Sequence, residues 1–156
     1  MSIGFKVEGL DKVLDRLNNM SDNSAGALKQ QYMKIAEDIA SDARSLAPTD
    51  TGHLKQNIFS RVFEENETIV GEVYSDVEYA AYVEFGTGSV GESAGLQREG
   101  LTLAYRQTPW RYRDEEGNWH YTHGMKPQPY LYPAMKNHED SIKELSKGAV
   151  VKLEVK

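Results

Sequence analysis

Apolar positions along this chain switch repeatedly between the period of a strand and that of a helix. Ile3, Phe5 and Val7 alternate with polar neighbours and predict a short strand. Leu10, Val13, Leu14 and Leu17 then recur at helical spacing and predict an amphipathic helix over 10–19, which Ser21-Asp22-Asn23-Ser24 breaks while offering N-cap oxygens to the next one. That second helix carries the clearest stripe: Leu28, Tyr32, Ile35, Ile39, Ala43 and Leu46 step by 4, 3, 4, 4 and 3. Pro48 ends it, because the residue before a proline resists helical angles.

From Lys55 to Ser75 the period becomes two. Ile58, Ser60 and Val62 oppose Asn57, Phe59 and Arg61, and alternation resumes after Glu64-Glu65-Asn66-Glu67, so an antiparallel hairpin with a solvated acidic turn is expected. Tyr79, Tyr82 and Val83 share a helical face, which predicts a short helix over 78–85 closed by a left-handed Gly86. Residues 86–101 are rich in Gly and Ser without periodicity and read as a mobile loop. Trp110-Arg111-Tyr112-Arg113 and Trp119-His120-Tyr121-Thr122-His123 flank a turn and predict a second, smaller hairpin. Leu131, Met135, His138, Ile142 and Leu145 predict a last helix ended by Gly148, before a terminal strand over 149–155. No internal repeat or low-complexity tract interrupts this order. The expected fold class is α+β: a long helix and a C-terminal helix packed on an antiparallel sheet, with a loop and small hairpin excursion over 88–127. At 156 residues one domain spanning 1–156 is expected.

Composition narrows the function. Hydrophobic residues make up 39% and mean hydropathy is −0.62, low for a compact globule, so ordered loops or subunit interfaces are expected to take up part of the surface. The absence of cysteine removes disulfides, thiolate catalysis and Cys-based zinc sites. No charged start followed by an apolar run opens the chain and no stretch is long enough to span a membrane, which predicts a protein made in the cytoplasm without membrane association. The net charge of −6 is uneven: residues 1–88 hold 8 basic and 15 acidic side chains, a balance of −7, whereas 89–135 are neutral. A grip on nucleic acid, which runs on clustered Lys and Arg, is therefore not expected, while an acidic surface past which DNA slides stays open.

Candidate chemistry is sparse. His120 and His123 are the best metal ligands, yet on a strand positions i and i+3 point to opposite faces, so they share an ion only if the hairpin bends. His53 and His138 read as structural rings. Glu84 lies among apolar and aromatic neighbours, where a carboxylate needs hydrogen bonds or an arginine. It either faces solvent or makes an intersubunit or loop-ordering contact. The serines lack a nucleophile-elbow context, and Gly86-Thr87-Gly88 lacks the lysine of a phosphate loop. Trp110, Tyr112, Trp119 and Tyr121 with Arg111 and Arg113 have the composition of a base-stacking surface, but Asp114, Glu115 and Glu116 cancel the charge. Cross-strand aromatic pairing explains them more simply. No catalytic, cofactor-binding or metal site is assigned.

Three motifs in order carry a resemblance: Ala-Pro-Thr-Asp-Thr-Gly-His-Leu-Lys-Gln-Asn-Ile at 47–58, Tyr-Ala-Ala-Tyr-Val-Glu-Phe-Gly-Thr at 79–87, and Gln-Pro-Tyr-Leu-Tyr-Pro-Ala at 128–134. Over about residues 5 to 148 the chain resembles the minor tail-component family typified by gene product 10 of the Hong Kong 97 phage. Pro48, Thr51, Gly52 and Leu54 match the turn after the long helix. Tyr79, Tyr82, Glu84, Gly86 and Thr87 match the second motif, and Pro129, Pro133 and Ala134 the third. Tyr130 stands where the family commonly has Phe, and the segment from Gly88 to Pro127 is longer than in the simplest relatives. The resemblance implies a non-enzymatic virion protein of the neck, acting in tail completion or head–tail joining. It further implies a ring, hexameric by tail symmetry, whose partners are itself, the major tail protein and the head–tail connector, with DNA passing through unbound. Under that reading Glu84 and Thr87 order the following loop across a subunit boundary. Two other classes remain open at this point: a prophage-encoded module binding a host factor, and a metal-dependent hydrolase using His120, His123 and a carboxylate.

Overall fold

A computed structural model of the chain describes residues 3–8, 22–50, 52–65, 68–96, 101–114, 116–145 and 150–155. Four strands form one antiparallel sheet in the order β2-β3-β1-β6: β1 (Ile3–Glu8), β2 (Phe59–Glu65), β3 (Thr68–Ser75) and β6 (Val150–Val155). The first strand thus lies between the expected hairpin and the last strand, with Phe5 opposite Val73 on one side and Leu153 on the other. This arrangement ties both ends of the described chain into one sheet. The helix expected over 10–19 lies outside the described residues.

The long helix α1 (Asp22–Leu46) packs on β2, β3 and a C-terminal helix, α5 (Leu131–Asn137). Its stripe is turned from the expected one. Tyr32, Ile39 and Ala43 are buried and Leu28 and Ile35 partly so, but Leu46 is 47% exposed and its place is taken by Ala36, Ala40 and Ala47. Ala36, Ala40, Ala43 and Ala47 step by 4, 3 and 4, a face of small side chains that brings the helix close to its neighbours. Ile58, Ile69, Val73, Leu131, Ala134, Met135 and Ile142 complete the core beside it. Arg44 fixes the helix to the sheet: Nε and one terminal nitrogen donate to the Ile58 carbonyl at 3.0 and 2.9 Å, the other to Glu37 at 2.7 Å, and Ser60 donates to the second Glu37 oxygen.

Several boundaries differ from the sequence reading. A single helical turn, α2 (His53–Gln56), precedes β2, so the strand begins at Phe59 instead of Lys55. The Asn57 side chain donates to the His53 carbonyl at 2.7 Å and stabilises that turn. Within the expected mobile loop a short helix, α4 (Gly88–Ser93), follows α3 (Ala80–Phe85). Leu131 to Leu145 forms two helices, α5 and α6 (Glu139–Leu145), broken at His138, whose ring lies 3.0 Å from Asp42 on α1. The apolar stripe survives the break because Leu131, Met135 and Ile142 still face the core. The small hairpin forms as expected from β4 (Trp110–Arg113) and β5 (Trp119–Thr122).

Candidate functional site

The motifs converge around α3. Its last residues run into Gly86, and a returning segment, 123–130, crosses them: Thr87 N–H donates to the Met125 carbonyl at 3.0 Å, Met125 N–H to Thr87 Oγ1 at 3.0 Å, and Gln128 N–H to the Val83 carbonyl at 2.8 Å. The two backbones touch. A Cβ on Gly86, which has φ +75°, would lie 2.6 Å from the Met125 carbonyl oxygen, and one on Gly124, with φ +111°, only 1.8 Å from that of Thr87. Glycine is therefore required at these positions for close approach as well as for backbone angle. The Gly-rich composition that suggested mobility instead permits backbone-to-backbone packing, and Tyr105 Oη adds a hydrogen bond to the Phe85 carbonyl at 3.1 Å.

Glu84 is fully buried at this crossing, which corrects the solvent-facing reading. Its Oε2 accepts from the N–H groups of Tyr130 and Leu131 at 2.8 and 2.9 Å, and Oε1 accepts from Tyr132 at 3.1 Å. A helix leaves its first four N–H groups without intrahelical partners. For α5 these belong to Tyr130, Leu131, Tyr132 and residue 133; Glu84 takes three, and Pro133 has no N–H to leave over. The cap of the C-terminal helix is thus supplied from a residue 46 positions earlier in the chain. A carboxylate also suits the positive end of the helix dipole. The neighbouring Tyr130 is buried, and desolvation, with the Glu84 charge second, pushes its phenol well above its ordinary value. The third motif is in this way the receptor for the second.

The first motif meets the second on the surface. Gly52, at φ +79°, starts α2, Leu54 is buried beneath it, and the His53 ring lies 6.4 Å from that of Tyr79. Pro48 is half-buried and Thr51 lies outside the described residues. Tyr79 and Tyr82 point outward, 42% and 48% exposed, and Pro129 and Pro133 are half-buried. The chain matches the family model of gene product 10 of bacteriophage HK97, a tail component, over residues 11–86.

Over these residues, just under half of the chain, it is similar to that family, whose members are described as phage tail components. Comparison with curated proteins and with solved structures gives no match. The matched residues hold the first motif and all but the last residue of the second; the β4–β5 hairpin and the third motif lie beyond them.

Among the described residues no three His, Asp or Glu side chains converge to hold a metal ion. His120 stacks on Tyr112 at 5.4 Å and its Nε2 lies 2.6 Å from Asp114, while the His123 carbonyl, not its ring, is used in the crossing. The His120 contact and the Asn118 amide hold the Asp114 carboxyl below its ordinary range. Among the described residues no helix is long and apolar enough to cross a membrane. The partners of Glu84 were not legible in the sequence, although a Pro two residues into a helix, with no Ser, Thr, Asp or Asn before it, signals a cap that must come from elsewhere.

Proposed function

We propose that the chain is a structural phage tail protein that completes the head-proximal end of a long tail, joining the tail tube to the head connector as a ring, six copies by tail symmetry. The observation that carries the reading is a division of labour within the second motif. Glu84, Gly86 and Thr87 lock the crossing from inside, while Tyr79 and Tyr82 of the same motif remain on the surface. A rigid turn presenting exposed aromatic residues suits a repeated subunit contact better than chemistry does. Pro48, Gly52 and Leu54 then set the turn whose His53 lies beside Tyr79, and Pro129 and Pro133 set the helix that Glu84 caps. The loop-ordering role first given to Glu84 and Thr87 is exercised within one chain; the subunit boundary belongs to the tyrosines.

The protein is made and assembled in the host cytoplasm, as a single domain, and its acidic N-terminal half lines a path that DNA traverses without binding. The test is the mass of the purified protein by light scattering, alone and mixed with tubes of its major tail protein. A discrete ring, or a monomer that assembles when tubes are present, supports the reading. A monomer indifferent to tubes overturns it and favours a module that binds a host factor.

A further inference from the structure

The β4–β5 hairpin carries a ladder that is exposed among the described residues. Its register sets Arg111 opposite Tyr121 and Arg113 opposite Trp119, all four on one face. The Arg111 guanidinium lies 5.3 Å from the Trp119 ring and 5.7 Å from the Tyr121 ring, and that of Arg113 lies 5.5 Å from Trp119. Trp119 is 60% and Tyr121 76% exposed, the two most exposed large hydrophobic side chains among the described residues. The opposite face holds Trp110, which lies beside Gly88, and His120, whose Nε2 lies 2.6 Å from the Asp114 carboxylate. Arg113 Nε donates to the Gly117 carbonyl at 2.9 Å, and among the described residues neither Arg111 nor Arg113 is in an ion pair, so this face sets two guanidinium groups beside two aromatic rings. An isolated two-stranded hairpin is marginal in water, and Trp, Tyr and Arg are the residues that dominate protein contacts.

A complementary surface exists elsewhere on the same chain. Asp76 and Glu78 are exposed and in no ion pair among the described residues, and they precede the exposed Tyr79 and Tyr82. Tyr82 also forms a wall of a groove of about 740 Å³ lined by Phe85, Leu101, Leu103, Tyr105 and Trp110, an apolar seat wide enough for an aromatic ring. We propose that the hairpin ladder of one copy docks on the Asp76–Tyr82 patch of the next, with Arg111 and Arg113 facing Asp76 and Glu78. Charge complementarity selects a second copy over nucleic acid, because residues 89–135 have no net positive charge to spend on phosphates while residues 1–88 carry −7. Two different patches joined head to tail make a heterologous contact, which closes into a ring when the rotation permits. The inference rests on the ring reading and names its interface.

The test is sedimentation velocity, with and without tail tubes, on the wild-type chain, Arg111→Glu, Glu78→Arg, the double variant and Tyr121→Ala. Each charge reversal weakens self-association on the order of tenfold or more, and the double variant recovers it. Tyr121→Ala weakens it with unchanged thermal stability, which separates docking from hairpin folding. Rings that persist undiminished in all single variants overturn the docking and leave the ring reading standing. A loss confined to tube binding, with self-association intact, identifies the tube protein as the occupant and overturns the assignment to a second copy. A wild-type chain that never associates overturns both.

Discussion

Replacing Glu84 by alanine removes the acceptor for three backbone N–H groups at one helix end, at distances of 2.8, 2.9 and 3.1 Å. Each buried donor left without a partner costs roughly 1–3 kcal/mol, and losing one side of a buried charged arrangement costs roughly 3–5. The three donors share one carboxylate and relax together, and removing a buried charge returns some desolvation energy, so about 3–5 kcal/mol is expected in total. That exceeds the ~1 kcal/mol of an ordinary N-cap, because this cap is fully buried. Glu84→Gln is the informative control. One amide oxygen can still accept from Tyr130 and Leu131, but its NH₂ then confronts the Tyr132 N–H, which predicts a loss of about 1–3 kcal/mol. Denaturant unfolding gives both values by linear extrapolation, and the alanine variant should also melt lower by about 6–20 °C. An alanine variant within about 0.5 kcal/mol of wild type, or a glutamine variant less stable than it, refutes the shared-cap account.

Three further variants test other parts of the structure. Gly124→Ala drives a Cβ to 1.8 Å from the Thr87 carbonyl and is expected to cost on the order of several kcal/mol in thermal unfolding. Gly95→Ala, at φ +64° with nothing within 4 Å, costs only the roughly 1–2 kcal/mol of the left-handed backbone; equal effects would contradict the close crossing. The Glu139 carboxyl, hydrogen-bonded by Lys136 and Lys143, is pulled from the ordinary 4.5 to about 2. Because its folded value lies below the unfolded one, its stabilisation is complete above pH 4.5 and is lost as pH falls toward about 2. The melting-temperature gap between wild type and Glu139→Gln should close across that window, and a gap independent of pH would contradict it.

The sequence made the elements legible wherever an apolar period was long, as in α1 and in the β2–β3 hairpin. It misjudged the face of α1 because alanine carries little hydrophobic signal, yet Ala36, Ala40 and Ala47 are buried because close helix packing needs small side chains. Residues 86–101 read as mobile because glycine suits both a flexible loop and a tight backbone crossing, and for 86–96 only the returning segment at 123–127 decides between them. Glu84 stood out as a carboxylate in apolar company, but its partners lie 46 to 48 residues away and are backbone groups, which leave no trace in side-chain spacing. The break at His138 was likewise hidden, since the apolar stripe continues through it.

The central claim, a ring at the head-proximal end of the tail, is tested most directly by locating the protein in tailed particles. Gold-labelled antibody against the chain, viewed by electron microscopy on particles of the phage or prophage that encodes it, gives that position. The account predicts label confined to the junction of head and tail; label at the distal tip, or particles that carry none of the protein, would contradict it.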